Sequence, residues 1–400
     1  MQQARKRSFR LEGASGEEAR AAPAHEAVFG IIGAGHIANS QHLPNLTRAP
    51  HVRLKTVCDL DRSRLEAAQA AYGIPHAVSD MEELLADEEI QAVVLATKDD
   101  THVPLTLAAL RAGKSVYVEK PLADTAEACE AVVEAQRASG KLVAVGFNRR
   151  FAPAYVRAKE LGRKHGGIWN FHYRIADEYW RWGRNLKPGT RVMHEVCHIF
   201  DILRWMTGQE VESVYCVASR ADDEVIAMQM SGGCVASIVD SGYGSMDMPK
   251  EYLAIMLERG AVTVEDFVEL RCFGRAEEPP VERFAGHTHP KSEFGYRVLY
   301  EKLGAEALYA MRRGGWEIRE QVEGGSLGGP HAKEDERFLG SIAWNYTGDK
   351  GWLQAVDHFA ECLITGARPD NAGPVDGLEA TRLALAAMRS RETGEVVRMY

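Results

Sequence analysis

The stretch VFGIIGAGHIA at residues 28–38 constrains the fold more than any other in the chain. A short apolar run leads into Gly33-Ala34-Gly35-His36-Ile37-Ala38, and a helix-length segment comes next. The spacing is G-x-G-x-x-A, with alanine in the third small position. Each small residue has a steric reason. Gly33 permits a tight strand-to-helix turn, Gly35 lets backbone N–H groups approach a pyrophosphate, and Ala38 lets helix and strand pack closely. His36 and Ile37 lie between them, where the positive end of the helix would face the phosphates. Such a turn carries weight as the first junction of a β-α-β series, and the residues after it supply one.

From Val28 to Phe147 short apolar runs alternate with helical patterns: VFGII (28–32), RLKTVC (53–58), AVVLAT (92–97), SVYV (115–118) and LVAVGF (142–147). Ser79 with Glu82, and Asp124 with Glu127, have capping-box spacing, and Gly113 and Gly140 stand where helices would end. Continuous apolar strands between helices predict a parallel sheet covered on both faces. The second run ends at Asp59, 24 residues past Gly35, where the ribose hydroxyls of a dinucleotide would be met. Asp59 would repel a 2′-phosphate and favours NAD; Arg62 could accept one, so NADP stays possible.

After Arg150 the pattern changes to strands in succession: IWNFHYRIA, VESVYCVAS, EVIAMQM, CVASIVDS, YLAIMLE and VELRCF. Residues 276–350 read as irregular apart from RVLYEKLGAEALYAMR, and helical patterns close the chain at 352–365 and 376–390. The expectation is an α/β protein. A charged, non-periodic lead-in (1–27), read as disordered, precedes a Rossmann dinucleotide-binding domain (28–148). Residues 149–400 form an α+β domain for substrate and oligomerisation, with a large, mostly antiparallel open sheet. A net charge of −9 disfavours a nucleic-acid or anionic-membrane partner, and no apolar run approaches a membrane span. Seven scattered cysteines without a C-x-x-C pair suit a reduced, cytoplasmic protein.

The fifth run passes into Glu119-Lys120-Pro121 within AGKSVYVEKPLA, with VGFNRRFAPA downstream at 145–154. With GIIGAGHIA upstream, the chain resembles the glucose-fructose oxidoreductase / inositol dehydrogenase / rhizopine-catabolism (Gfo/Idh/MocA) family from about Val28 to Ser241. The likeness returns in DHFAECLITGARPDNAGPVDGLEATRLALAAMRS. It implies NAD(P)-dependent hydride transfer at a carbinol carbon of a sugar, inositol or derivative. It further implies a homodimer or homotetramer built on the open sheet, and Lys120 as the lysine that holds the reacting oxygen. A lysine at the carboxyl end of a parallel strand stands at the cofactor crevice, and its ammonium can stabilise alkoxide character. Glu119, Thr97 and His102 are expected on the cofactor side. TKDDTH (97–102) fills the family's T-P-N-x-x-H slot, with Lys98 in place of Pro and Asp99 in place of Asn. The same machinery with tightly held NAD could instead cleave glycosides by oxidation, elimination and return of the hydride; that is the alternative.

His194-Glu195-Val196-Cys197-His198 spells H-E-x-x-H, a pattern of zinc peptidases. A third ligand is missing, because positions 201 and 204 are Asp and Arg. The expectation is an amphipathic helix with His194, His198 and Asp201 along one polar stripe, and no metal. Family members carry D-x-x-x-H-x-x-D or G-E-x-C-H-F-x-D here, and the resemblance makes His198 the proton donor-acceptor. The first carboxylate of the commoner pattern is absent, which leaves Glu195 or His194 as partners of His198 and as substrate contacts. Arg149, Arg174 and Trp180 are the remaining substrate candidates, since aromatic faces suit sugar C–H groups and arginine forks suit carboxylates. Arg150, Tyr179, Arg181 and Trp182 lie in the same stretches, and a substrate bearing an acidic group is one expectation they raise. Trp180 reads equally well as a packing anchor. In DKGW (349–352) Trp352 replaces a histidine of some branches, and no role is carried over.

Overall fold

The computed structural model describes residues 26–183, 186–244, 248–284 and 348–399. Residues 1–25 of the proposed lead-in and the helical pattern near 297–312 lie outside them, while Ala27, the last residue of that lead-in, already belongs to the first strand. Six parallel strands, β1 (Ala27–Ile32), β2 (Val52–Cys58), β3 (His76–Val78), β4 (Ala92–Leu95), β5 (Ser115–Val118) and β6 (Val143–Val145), run in the order β3-β2-β1-β4-β5-β6. The order reverses beside β1, so a crevice opens at the carboxyl ends of β1 and β4. Strands β1, β4 and β5 are buried on both faces, as their nearly unbroken apolar runs require.

The second sheet has nine strands: β7 (Asn170–Ala176), β8 (Val211–Arg220), β9 (Asp223–Met230), β10 (Val235–Ser241), β11 (Glu251–Leu257), β12 (Gly260–Glu265), β13 (Glu269–Phe273), β14 (Val281–Arg283) and β15 (Val397–Arg398). The order is β14-β13-β12-β11-β7-β10-β9-β8-β15, antiparallel except for the β7–β10 pair. Strand β9 alternates buried Ile226 and Met228 with exposed Val225 and Ala227, so one face packs on helices and the other is open.

Two helix starts differ from the expected capping boxes. Asp80, not Ser79, caps the helix Met81–Ala86 by accepting from Glu82 N, and Thr125, not Asp124, caps Ala126–Ser139 through Ala128 N. In both cases the residue one step later has the extended backbone a cap needs. Gly140 ends its helix at φ +66° as expected.

The last helices return to the first sheet. Phe359, in the helix Trp352–Thr365, meets Phe29 of β1 edge-on at 6.3 Å and Tyr117 of β5 at 5.9 Å. The helix Pro374–Thr393 joins the halves: Thr381 Oγ1 donates to Ala123 O, and Ser390 Oγ accepts from Cys216 N of β8. A boundary at 148 therefore separates the sheets but not the cores.

Candidate active site

The glycine turn has the predicted geometry. Gly33 has φ +99°, and a Cβ there would lie 2.4 Å from Ala96 O. At Gly35 an added Cβ would meet nothing within 4 Å, so the loop borders open space. Asn39 Nδ2 donates to the carbonyls of Ala34 and Gly35 at 2.7 and 3.0 Å, tying the oxygen side of the loop to the protein. His36 is exposed, Ile37 half-buried and Ala38 buried. In place of a regular α-helix the chain then forms a π-helical turn, Ala38–His42, and a short helix, Leu43–Leu46. Pro44 explains the wide winding: it has no N–H, and its ring would collide with the carbonyl of residue 40 in a tight turn.

Asp59 stands against this loop. Its Oδ2 accepts from Ala34 N at 2.7 Å and its Oδ1 from Asp61 N at 2.8 Å. Arg62, exposed, turns to Glu66 at 3.1 Å. Thr97 is half-buried and accepts from Thr101 Oγ1 at 2.7 Å.

At the end of β5 the Lys120–Pro121 peptide is cis. His102, expected to face the cofactor, is fully buried with Nδ1 2.8 Å from Pro121 O, so it braces the bend from below. Glu119 is buried, with Oε1 2.8 Å from His42 Nε2. Burial opposes its ionisation, but the hydrogen bond and charge of His42, with Lys120 and His102, hold the carboxyl below its ordinary value. Trp352 lies edge-on against His42 at 5.4 Å.

Lys120 Nζ donates to His194 O at 2.8 Å and is 3.7 Å from Glu195 Oε1. The lysine from one half thus touches the segment carrying His198 in the other. That segment is not one amphipathic α-helix. Val192–Val196 form a π-helical turn, and the α-helix Cys197–Thr207 continues from it. Every residue from Cys197 to Leu203 is buried, polar ones included, because the helix is sandwiched between sheet and neighbouring helices. The expected polar stripe splits three ways. His194 Nδ1 reaches Asp99 Oδ2 at 3.0 Å; His198 packs edge-on against Phe147 at 5.6 Å; Asp201 pairs with Arg150, whose Nε is 2.9 Å from Oδ2. Among the described residues no group of three or more His, Cys, Asp or Glu is arranged to hold a metal ion.

Electrostatics set the protonation states. Burial, then the charges of Arg149 and Lys120, push the His198 pKa well below its ordinary value, so the ring is neutral, and its Nδ1 is buried without a partner. Glu195 is buried too, but Lys250, Lys120, Arg191 and Arg149 outweigh that cost and keep it ionised. Lys250 Nζ lies 2.9 Å from Glu195 Oε2 and 2.6 Å from Asp177 Oδ2, and Arg191 Nη1 reaches Asp177 Oδ1 at 2.8 Å. Lys250, Arg191 and Asp177 escape sequence reading, because only the fold brings strand ends and loops far apart in the chain together.

Two substrate candidates are otherwise engaged. Arg149 is buried and grips Glu251 with both arms of its fork, Nε to Oε2 at 2.7 Å and Nη2 to Oε1 at 2.8 Å. Lys350 Nζ adds a 2.7 Å bond to the same carboxylate. Arg174 donates to Pro249 O at 2.8 Å and lies over Tyr252, across the strand from buried Tyr173 and so on the open face of the sheet. The fork of Arg149 is thus fully taken, while Arg174 commits only Nη2 and stands on the open face of the sheet. Trp180 is 56% exposed and held through its backbone N–H to Gly242 O, which rules out a core anchor. The side chains of Arg181 and Trp182 lie outside those described.

Comparison with known proteins matches this architecture. Residues 28–147 match the profile of the oxidoreductase family with NAD-binding Rossmann fold, and residues 150–267 match the GFO/IDH/MocA C-terminal domain. An inositol 2-dehydrogenase of Rubrobacter xylanophilus is 34% identical over 253 residues, 59% of this chain and 70% of its own. YrbE of Bacillus subtilis, an uncharacterized oxidoreductase, is 27% identical across 92% of this chain and 95% of its own. Among solved structures, myo-inositol 2-dehydrogenase from Lactobacillus plantarum superposes with TM-score 0.67 at 20% identity, covering 94% of this chain and all (100%) of that one. The WlbA dehydrogenase from Bordetella pertussis, in complex with NADH and UDP-GlcNAcA, gives 0.67 at 20% identity, covering 94% and 98%. The chain, with its NAD-binding Rossmann fold, belongs to the Gfo/Idh/MocA oxidoreductase family.

Proposed function

We propose that the protein is an NAD-dependent dehydrogenase acting at a ring carbinol of a neutral polyol, an inositol in the first place. The observation that carries this reading is the Lys120 ammonium hydrogen-bonded to the His194 carbonyl, one turn ahead of His198. The relatives named inositol 2-dehydrogenase support the substrate class. The fully engaged fork of Arg149, with Arg174 on the open sheet face, favours a neutral substrate over a uronate or phosphate.

The glycine turn fits a dinucleotide: Gly33 tolerates no Cβ, and the space beside Gly35 is open. Gly33, Gly35, His36, Ile37 and Ala38 form the pyrophosphate seat, Asp59 meets the ribose, and Thr97 and Glu119 border the nicotinamide side. Asp59 keeps its carboxylate at the loop while Arg62 turns to Glu66, which supports NAD over NADP. The bound nicotinamide supplies the hydride acceptor. Lys120 holds the reacting oxygen and lowers the cost of its negative charge. The neutral imidazole of His198 accepts the hydroxyl proton, which a protonated ring could not. Lys250 keeps the ionised Glu195 from drifting toward the reacting oxygen, and His102 steadies the cis bend.

The protein is further proposed to be a cytoplasmic homodimer or homotetramer. All seven cysteines are free and buried, which suits a reducing compartment, and no helix among the described residues is long and apolar enough to cross a membrane. The open sheet face exposes Tyr215, Val217, Val225, Val235 and Met256, an apolar surface suited to a second sheet. The glycosidase alternative finds no support among the named relatives.

The test is a panel of inositols, neutral sugars and uronates with NAD or NADP, following absorbance of the reduced nicotinamide. Reduction of NAD by a cyclitol, with uronates no better, is the expected result. No reduction by any cyclitol or neutral sugar would refute the reading.

A further inference from the structure

Asp99 and His194 both depart from the family's spelling, one on each side of the crevice, and in space they meet at 3.0 Å. Asp99 opens the 3-10 turn Asp99–Thr101 after β4; His194 sits in the π-helical turn of the other half. Partial desolvation at the crevice opposes the Asp99 charge, yet the hydrogen bond from His194 holds its carboxyl below the ordinary value. The imidazole therefore has a fixed orientation. With Nδ1–H donating to the carboxylate, Nε2 is the ring nitrogen left to hydrogen-bond an O–H group. The backbone of His194 is fixed as well, because its carbonyl accepts from Lys120 Nζ. Glu195 is committed to Lys250, while the His194 side chain stays 21% exposed.

We propose that Asp99 and His194, one from each half, form a dyad that reads a second hydroxyl of the polyol, adjacent to the carbon being oxidised. His194 is then a substrate-contacting, specificity-determining residue, and Asp99 a positioning residue that acts through it. The inference rests on the dehydrogenase reading and adds to it which substrates are accepted: vicinal diols whose neighbouring hydroxyl lies on the His194 side.

The test compares full-length wild type with H194A, H194Q, D99A, D99N and the D99A/H194A double variant. Each is assayed with myo-inositol under saturating NAD, and inositols lacking one hydroxyl are assayed as substrates or competitive inhibitors. H194A and D99A are expected to raise KM for the polyol about tenfold, with kcat held within about threefold, the signature of a lost ground-state hydrogen bond. D99N keeps an acceptor for Nδ1–H and recovers most of the loss. The double variant loses no more than H194A alone, because the two act as one unit. Against one deoxygenated inositol the H194A penalty falls below about twofold, since the hydroxyl to be read is gone. If H194A does not fold, H194Q carries the comparison. A penalty equal across all analogues, or D99A leaving KM unchanged, overturns the dyad while leaving the dehydrogenase reading intact. Wild type that reduces NAD with no polyol defeats both.

Discussion

His198, the proposed base, is a buried histidine whose state is fixed by what surrounds it. Because burial, Arg149 and Lys120 disfavour the imidazolium, the ring stays neutral below the pH at which a free histidine takes up its proton. The unfolded chain binds this proton near pH ~6.5 and the folded one only at lower pH, so the group's stabilisation is complete above that value and fades as pH falls below it. The acid limb of kcat/KM is expected below about pH 6.5 in the wild type. It should move upward in the R149M/E251Q double variant, which removes the nearby cation together with its buried partner. A limb unchanged by that substitution would show that the Arg149–Glu251 pair has no net effect on His198. K120M and H198A should each lower kcat/KM by about 10²–10⁴-fold, measured by initial rates, while the Kd for NAD changes little. The residues carrying these effects are unevenly legible. Lys120 and His198 sit in short local motifs, whereas Lys250 and Arg191 reach Glu195 and Asp177 from separate parts of the chain and leave no local signature.

Elements are legible where their periodicity is local and illegible where neighbours decide. Five of the six parallel strands come straight from their apolar runs, and β3, three residues long and only partly buried, has no such run. Periodicity predicts one polar stripe of His194, His198 and Asp201, yet the first two turns of the helix Cys197–Thr207 are buried all round, and Asp201 is matched by Arg150, which the sequence does not bring near. The π-helical turns at Ala38–His42 and Val192–Val196 have no counterpart in the expected pattern, although Pro44 is a usable signal for the first. Strand β12 also escapes it; this strand joins β11 through a tight turn in which Arg259 takes φ +59° without being glycine. Helix starts give a direct check. D80A should lower stability by about 1 kcal/mol and S79A by much less, in urea denaturation, because only Asp80 caps the backbone. The helix Trp352–Thr365 gives another. Phe359 is fully buried between Phe29 and Tyr117, so F359A should cost about 3–5 kcal/mol in the same measurement.

At the scale of the molecule, the proposed assembly rests on the open sheet face. Val217, Val225 and Val239 are registered side by side across β8, β9 and β10, and the first two are each 45% exposed. A V217K/V225K variant is expected to sediment as a smaller species than wild type while keeping its circular dichroism, since the inner face is untouched. Unchanged sedimentation would remove this face from the assembly. The return of the last helices has a different consequence, one for biosynthesis. The first sheet is translated early, but the aromatic side chain that seals its back, Phe359, leaves the ribosome near the end of synthesis. Until then Phe29 and Tyr117 stay uncovered on the nascent chain, and chaperones have an apolar patch to hold. A premature stop ahead of the final helices would thus strand an otherwise intact nucleotide half in a sticky, degradable state.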